Sequence, residues 1–144
     1  MFELDPRLQA DTWVLGDFPL CRLLLSKDAN YPWLILVPRR SGITEAFELE
    51  TADQAQLARE TALVAQHLKA VVNADKINVA ALGNVVAQLH VHVIARYTHD
   101  VAWPAPVWGR VAAASYEHER LEQFKVQLRH SLTGDFAWAD TNDR

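Results

Sequence analysis

The chain has 144 residues, 14 Lys and Arg against 18 Asp and Glu, and a formal charge of −4 with histidine neutral. That length suits one domain, and a composition 50% hydrophobic and 22% charged supplies a core rather than a disordered chain. The acidic balance excludes a general nucleic-acid surface, which needs a basic face to displace counterions, but leaves a small anionic ligand open.

A single cysteine, Cys21, cannot form an internal disulfide and points to a reducing, cytoplasmic setting. The opening MFELDPRLQADTW has early acidic residues and lacks the apolar block of a signal peptide. No run approaches the about 18 uninterrupted apolar residues of a membrane span.

In chain order, residues 12–18 and 20–27 are rich in β-formers around Pro19 and predict a hairpin. Turn residues at 28–32 lead into WLILVP (33–38), a nearly all-apolar buried strand that Arg39, Arg40, Ser41 and Gly42 end. From Thr51 to Asn73 the apolar period becomes three and four residues, which predicts one long helix capped by Thr51 and stopped at Asn73. Strands follow at 76–82 and 88–97, with GNVVA between them. A Trp-Pro loop (103–109) precedes a last helix at 115–132. The reading is one domain over 1–132 with a flexible C-terminal tail at 133–144. Most connections are too short for parallel crossovers, so the fold class is α+β on a mainly antiparallel sheet. Five glycines without a Gly-rich phosphate motif signal neither dinucleotide nor P-loop binding.

The chemistry-bearing stretch is QLHVHVIAR (88–96). Strand alternation puts Gln88, His90 and His92 on one face and Leu89, Val91 and Val93 on the core face. Three readings follow from such a pair. A neutral imidazole is a nucleophile for phosphoryl or nucleotidyl transfer, with the second as a donor to phosphate. Alternatively, the pair is part of a metal site completed by His99 or Asp100. In the third reading the domain is non-catalytic and its polar face meets solvent or a partner. Upstream, Asn78 lies on the preceding strand, and Gly83–Asn84 form a turn whose backbone N–H groups can cradle phosphate.

The run Gln88-Leu89-His90-Val91-His92-Val93-Ile94 resembles the signature of the histidine triad (HIT) superfamily of nucleotide hydrolases and transferases. WLILVPRR (33–40) and INVAALGN (77–84) are similar to that family's proline-ended strand and its Asn strand with glycine turn, so the likeness spans about 12–97. The resemblance implies an antiparallel sheet of about five strands, a long helix and a C-terminal helix, a homodimer, and no cofactor or metal. It also implies cleavage at the α-phosphate of a dinucleoside polyphosphate or nucleoside phosphoramidate. His90 matches the nucleophile, whose Nδ1–H donates to a backbone carbonyl, and His92 the phosphate-side helper. Asn78, Gly83 and Asn84 match phosphate-side groups, and Asp28 is the candidate for the ribose hydroxyls.

Two departures stand out. The first triad histidine is Gln88, which cannot titrate, and Val85 replaces a hydroxyl residue that many members place after the turn. Both raise the alternative of a nucleotide-binding sensor or scaffold with little turnover. Trp103 to Trp108 has three open roles: covering the base, a dimer contact, or shielding a sheet edge. Arg39, Arg40, Arg96 and Arg110 are candidates for a positive rim.

Overall fold

Pro6 after Asp5 starts the first element. In the computed structural model, which describes residues 1–139, Pro6–Asp11 form a short helix, α1, capped by Asp5, whose carboxylate accepts from the Arg7 N–H at 2.8 Å. This helix is additional to the predicted elements. The predicted hairpin forms as β1 (Thr12–Asp17) and β2 (Cys21–Ser26), and the apolar run gives β3 (Trp33–Pro38). A 3₁₀ turn at Ala46–Glu48 leads to the long helix α2 (Thr51–Val72), then β4 (Lys76–Ala80), β5 (Val91–Arg96), α3 (His118–Ser131) and β6 (Ala137–Trp138).

All pairings are antiparallel, in the order β4-β5-β3-β2-β1-β6. The sheet therefore has six strands rather than about five. The additional strand corrects the expectation of a flexible tail from residue 133. Phe136 packs on Phe18 (4.5 Å between ring centroids), the Ala139 N–H donates to the Leu15 carbonyl, and Ala137 and Trp138 pair with β1. Gly16 makes this possible, because a Cβ there would collide with the Ala137 carbonyl. The remaining predicted tail, 140–144, lies outside the described residues.

Two boundaries move for identifiable reasons. Thr51 is the first residue of α2, and Glu50 stands at the cap without a side-chain bond. Asn73 does end the helix, in the left-handed conformation at φ 52°, which asparagine tolerates better than most residues. The strand expected from 88 begins at Val91 instead. Ahead of it, the Leu89 N–H turns to the Ile43 carbonyl and the Gln88 carbonyl is taken by a histidine ring.

Strand alternation divides the sheet. One face sends Leu15, Leu23, Leu34, Leu36, Val91 and Val93 into a core with α2 and α3. Buried Glu60 of α2 accepts from the Leu20 and Cys21 N–H groups and from Gln56, so its polar atoms are satisfied while it ties the helix to the start of β2. The opposite face is covered in two patches. Leu4 and Leu8 of the N-terminal segment pack on Leu24, Ile35 and Val37. Tyr31, Ala102 and Val107 pack on Ile94.

Candidate functional site

The two histidines line a cavity on this second face, together with residues of the N-terminal segment and of the loop after β5. Both rings are buried, with 5% of each residue exposed, and their centroids lie 4.9 Å apart. His90 Nδ1 is 2.7 Å from the Gln88 carbonyl. A carbonyl only accepts, so Nδ1 carries the proton and Nε2 keeps its lone pair.

His92 has the opposite tautomer. The Trp33 indole N–H, a donor only, meets its Nδ1 at 3.0 Å, so the proton resides on Nε2. That Nε2–H is buried without a hydrogen-bond partner. Burial first, and then neighbouring His90, lower the His92 pKa from 6.5 to about 4; the Leu82 carbonyl acts weakly the other way from outside bonding geometry. At neutral pH His92 is therefore an uncharged donor beside the His90 ring.

The cavity has a volume of about 640 Å³, and Trp33, Trp108, Ile35 and Val86 give it apolar walls. Trp108 stands edge-on to both His92 and Trp33, at 5.1 and 5.9 Å between centroids. Of the roles left open for the Trp-Pro loop, Trp108 is a pocket wall, whereas Trp103 stacks over buried Arg96 away from the cavity. Asp28 also lines it. Its Oδ1 accepts from the Asn30 backbone and amide N–H groups and from the Ala114 N–H, which ties the 112–114 segment across the mouth. Among the described residues its Oδ2 has no hydrogen bond.

Asn84 lines this cavity and a smaller recess of about 290 Å³ behind His90, which Gly83 also lines. A Cβ on Gly83 would lie 2.7 Å from the Val86 carbonyl, so only glycine fits this turn unstrained.

Other expected site residues lie elsewhere. Gln88 does not line this cavity; it lines the smaller recess together with His90. Its amide bonds the N-terminal segment, accepting from the Asp5 N–H and donating to the Glu3 carbonyl. Asn78 does not line the cavity, and its side-chain oxygen accepts from Arg96 at 2.8 Å. Arg96 is itself buried and paired with Asp100, while Arg39 and Arg40 pair with Asp17 and Asp53. These three arginines form no positive rim; Arg110 is exposed but does not line the cavity. For the metal reading, His99 stacks on Tyr97 and Asp100 is committed to Arg96, so neither joins the two histidines. Among the described residues no three His, Cys, Asp or Glu side chains converge on one point. Trp33, inside the strand predicted as buried, forms part of the wall, and Arg7, which no sequence motif singles out, lines the cavity from α1. The Asp5-Pro6 cap-and-start signal was the available clue to that helix.

An antiparallel sheet with a histidine pair of fixed, opposite tautomers at a pocket edge defines a class that the comparisons identify. The profile of the HIT domain matches residues 7–99, more than half of the chain. The structure is similar to a histidine triad protein from Bradyrhizobium japonicum, at 48% identity and a TM-score of 0.89, covering 90% of this chain and 97% of that one. A histidine triad protein from Sinorhizobium meliloti matches at 48% identity and 0.89, covering 92% and 98%, and one from Marinobacter aquaeolei at 46% and 0.89, covering 92% and 96%. Comparison with curated proteins returns no match. The chain belongs to the HIT family, whose members generally bind nucleotides and act as hydrolases or transferases.

Proposed function

We propose that the protein cleaves a nucleotide derivative at its α-phosphate through a covalent nucleotidyl-histidine. The observation carrying this reading is the hydrogen bond from His90 Nδ1 to the Gln88 carbonyl, which leaves Nε2 as an unprotonated nucleophile facing a ligand-sized cavity. In the first step Nε2 attacks phosphorus, the P–O or P–N bond to the leaving group breaks, and the departing atom takes the bonding pair. His92 Nε2–H, a buried donor with no protein partner, is matched to a phosphoryl oxygen whose charge grows in the transition state. Water then attacks the same phosphorus, the N–P bond breaks with its pair returning to His90 Nε2, and nucleoside monophosphate leaves as the water's proton passes to solvent.

In this reading Asp28 Oδ2 accepts from the ribose hydroxyls, the Gly83–Asn84 turn flanks the phosphate, and Trp33 and Trp108 border the base. Dinucleoside polyphosphates and nucleoside phosphoramidates are the substrate classes. Acid-quenched mass spectrometry after mixing with each substrate tests it. Wild type gains a nucleotidyl adduct on His90 and His90→Ala gains none; turnover by His90→Ala equal to wild type overturns the covalent route.

A second reading, a nucleotide sensor with little turnover, is favoured by one observation: both polar atoms of Gln88 are engaged by Glu3 and Asp5. No titratable third member then stands beside His90 to relay protons. Tight nucleotide binding without product or adduct selects this reading.

We also propose a cytoplasmic homodimer. Its support is β4, an open sheet edge, where Val79 is 51% exposed. Light scattering at micromolar concentration tests it, a monomeric mass being the contrary result. No helix among the described residues is long and apolar enough to cross a membrane.

A further inference from the structure

The N-terminal segment and the loop before β5 are joined at two points, the second of them in the cavity wall. At the first, Gln88 bonds the backbone of two alternate residues, its Oε1 accepting from the Asp5 N–H at 2.9 Å and its Nε2 donating to the Glu3 carbonyl at 2.8 Å. At the second, Arg7 Nη1 donates to the Val85 carbonyl at 2.9 Å. Leu4 and Leu8, buried on either side of α1's start, keep the segment against the sheet. Asp5 is both the residue that Gln88 holds and the cap from which α1 grows, so the position of Arg7 follows from the Gln88 clasp.

Arg7 and Lys27 bring the cationic side chains into the cavity wall, and Lys27 lies over the Trp13 ring. Arg7 has no ion pair among the described residues, and its one side-chain bond goes to the loop that delivers His90. A guanidinium has five N–H donors in a planar fork, so most remain for an anion. Arg7 thus carries a charged group anchored on the Val85 carbonyl.

Resting on the nucleotide-cleavage reading above, we propose that Arg7 determines leaving-group specificity by binding the phosphates beyond the α-phosphate, and that Gln88 is the positioning residue that sets it there. The amide at 88 does not substitute for a triad histidine in proton transfer. It fastens an anion-binding arm over the nucleophile.

The test compares kcat/KM for a dinucleoside polyphosphate, whose leaving group is anionic, with that for a nucleoside phosphoramidate, whose leaving group is an amine. Arg7→Ala lowers the polyphosphate-to-phosphoramidate ratio at least tenfold, Arg7→Lys recovers part of it, and Gln88→Ala lowers it in the same direction. Gln88→Ala adds little in the Arg7→Ala background. A ratio unchanged in Arg7→Ala overturns the proposal. If Gln88→Ala reduces both substrates equally with the ratio intact, its positioning role falls. If wild type turns over neither substrate, the cleavage reading fails by itself, and calorimetry with a nucleoside mono- and triphosphate then decides. Selective loss of triphosphate affinity in Arg7→Ala supports the arm, and equal affinities to wild type overturn it.

Discussion

The Trp33 indole N–H and His92 Nδ1 are 3.0 Å apart, and this single bond sets the tautomer of His92. Indole cannot accept, so the imidazole presents N–H, not a lone pair, at its other nitrogen. Together with the bond from His90 to the Gln88 carbonyl, it gives two neighbouring rings opposite hydrogen-bonded ends: His90 donates through Nδ1 and His92 accepts there.

Replacing Trp33 with Phe keeps most of the wall but strands Nδ1 of a buried ring. The tautomer is then free to change, and a buried acceptor without a partner costs about 1–3 kcal/mol. We expect kcat to fall at least tenfold while the nucleotide KM changes less. Nitrogen-15 NMR of the ring checks the cause: wild-type His92 shows a protonated Nε2, and Trp33→Phe shows a mixture. A pure Nε2–H tautomer in the variant would remove Trp33 from this role.

Stability should depend on pH through His92. The ring stays neutral in the folded protein down to about pH 4, against 6.5 for an unperturbed histidine. Between those values the unfolded chain binds a proton that the folded one does not, so stability falls as pH drops through that window. At 1.36 kcal/mol per unit the loss is on the order of 3 kcal/mol, complete near pH 4. Urea melts of wild type and His92→Asn at pH 7 and pH 4.5 measure it: the variant should show a much shallower drop. Asp100 acts at lower pH. Burial opposes its ionisation, but Arg96 and the Tyr97, Ala102 and Trp103 N–H groups outweigh that and hold the carboxyl at about 2, so its contribution is lost between the usual carboxylate range and that value.

Asn78 separates a binding role from a structural one. Its oxygen is one of four acceptor contacts around Arg96, a residue 2% exposed whose other bonds go to Asp100 and the Ala105 carbonyl. Asn78→Ala leaves a buried charged N–H unpaired, which should cost roughly 1–3 kcal/mol in denaturant melts. Nucleotide KM should stay within about twofold, since an N–H left bare at Arg96 lies off the cavity. A large KM rise at unchanged stability would return Asn78 to the phosphate side.

The histidine pair, the long helix and the antiparallel class were legible because each rests on a local period or spacing. His90 and His92 share a face by strand alternation alone, and α2 announces itself by its apolar spacing. The rest depends on partners distant in sequence. Gln88 stays outside the cavity because residues 3 and 5 claim its amide, and Asn78 leaves the site because Arg96 turns inward to meet Asp100. Alternation could not see that β5 starts three residues late, where the Gln88 carbonyl serves a side chain instead of a strand. Nor could a polar C-terminal composition reveal that Phe136 finds Phe18 and adds a sixth strand.

Gly83 tests whether the turn before the histidines is part of the machinery. A methyl group at 83 would stand 2.7 Å from the Val86 carbonyl and 3.6 Å from His90 Cε1. The first distance is too short for any relaxed contact, and a backbone oxygen cannot swing aside as a side chain would. Gly83→Ala must therefore shift the 83–86 turn, at a cost of about 1–3 kcal/mol of the kind overpacking brings. The same loop carries Val85, which anchors Arg7, and runs directly into His90. We expect kcat/KM to fall at least tenfold, since displacements of about 1 Å in reacting groups cost about 100-fold. Melts and kinetics on one preparation read both effects. Full activity with unchanged stability would mean that the turn accommodates a side chain without moving His90.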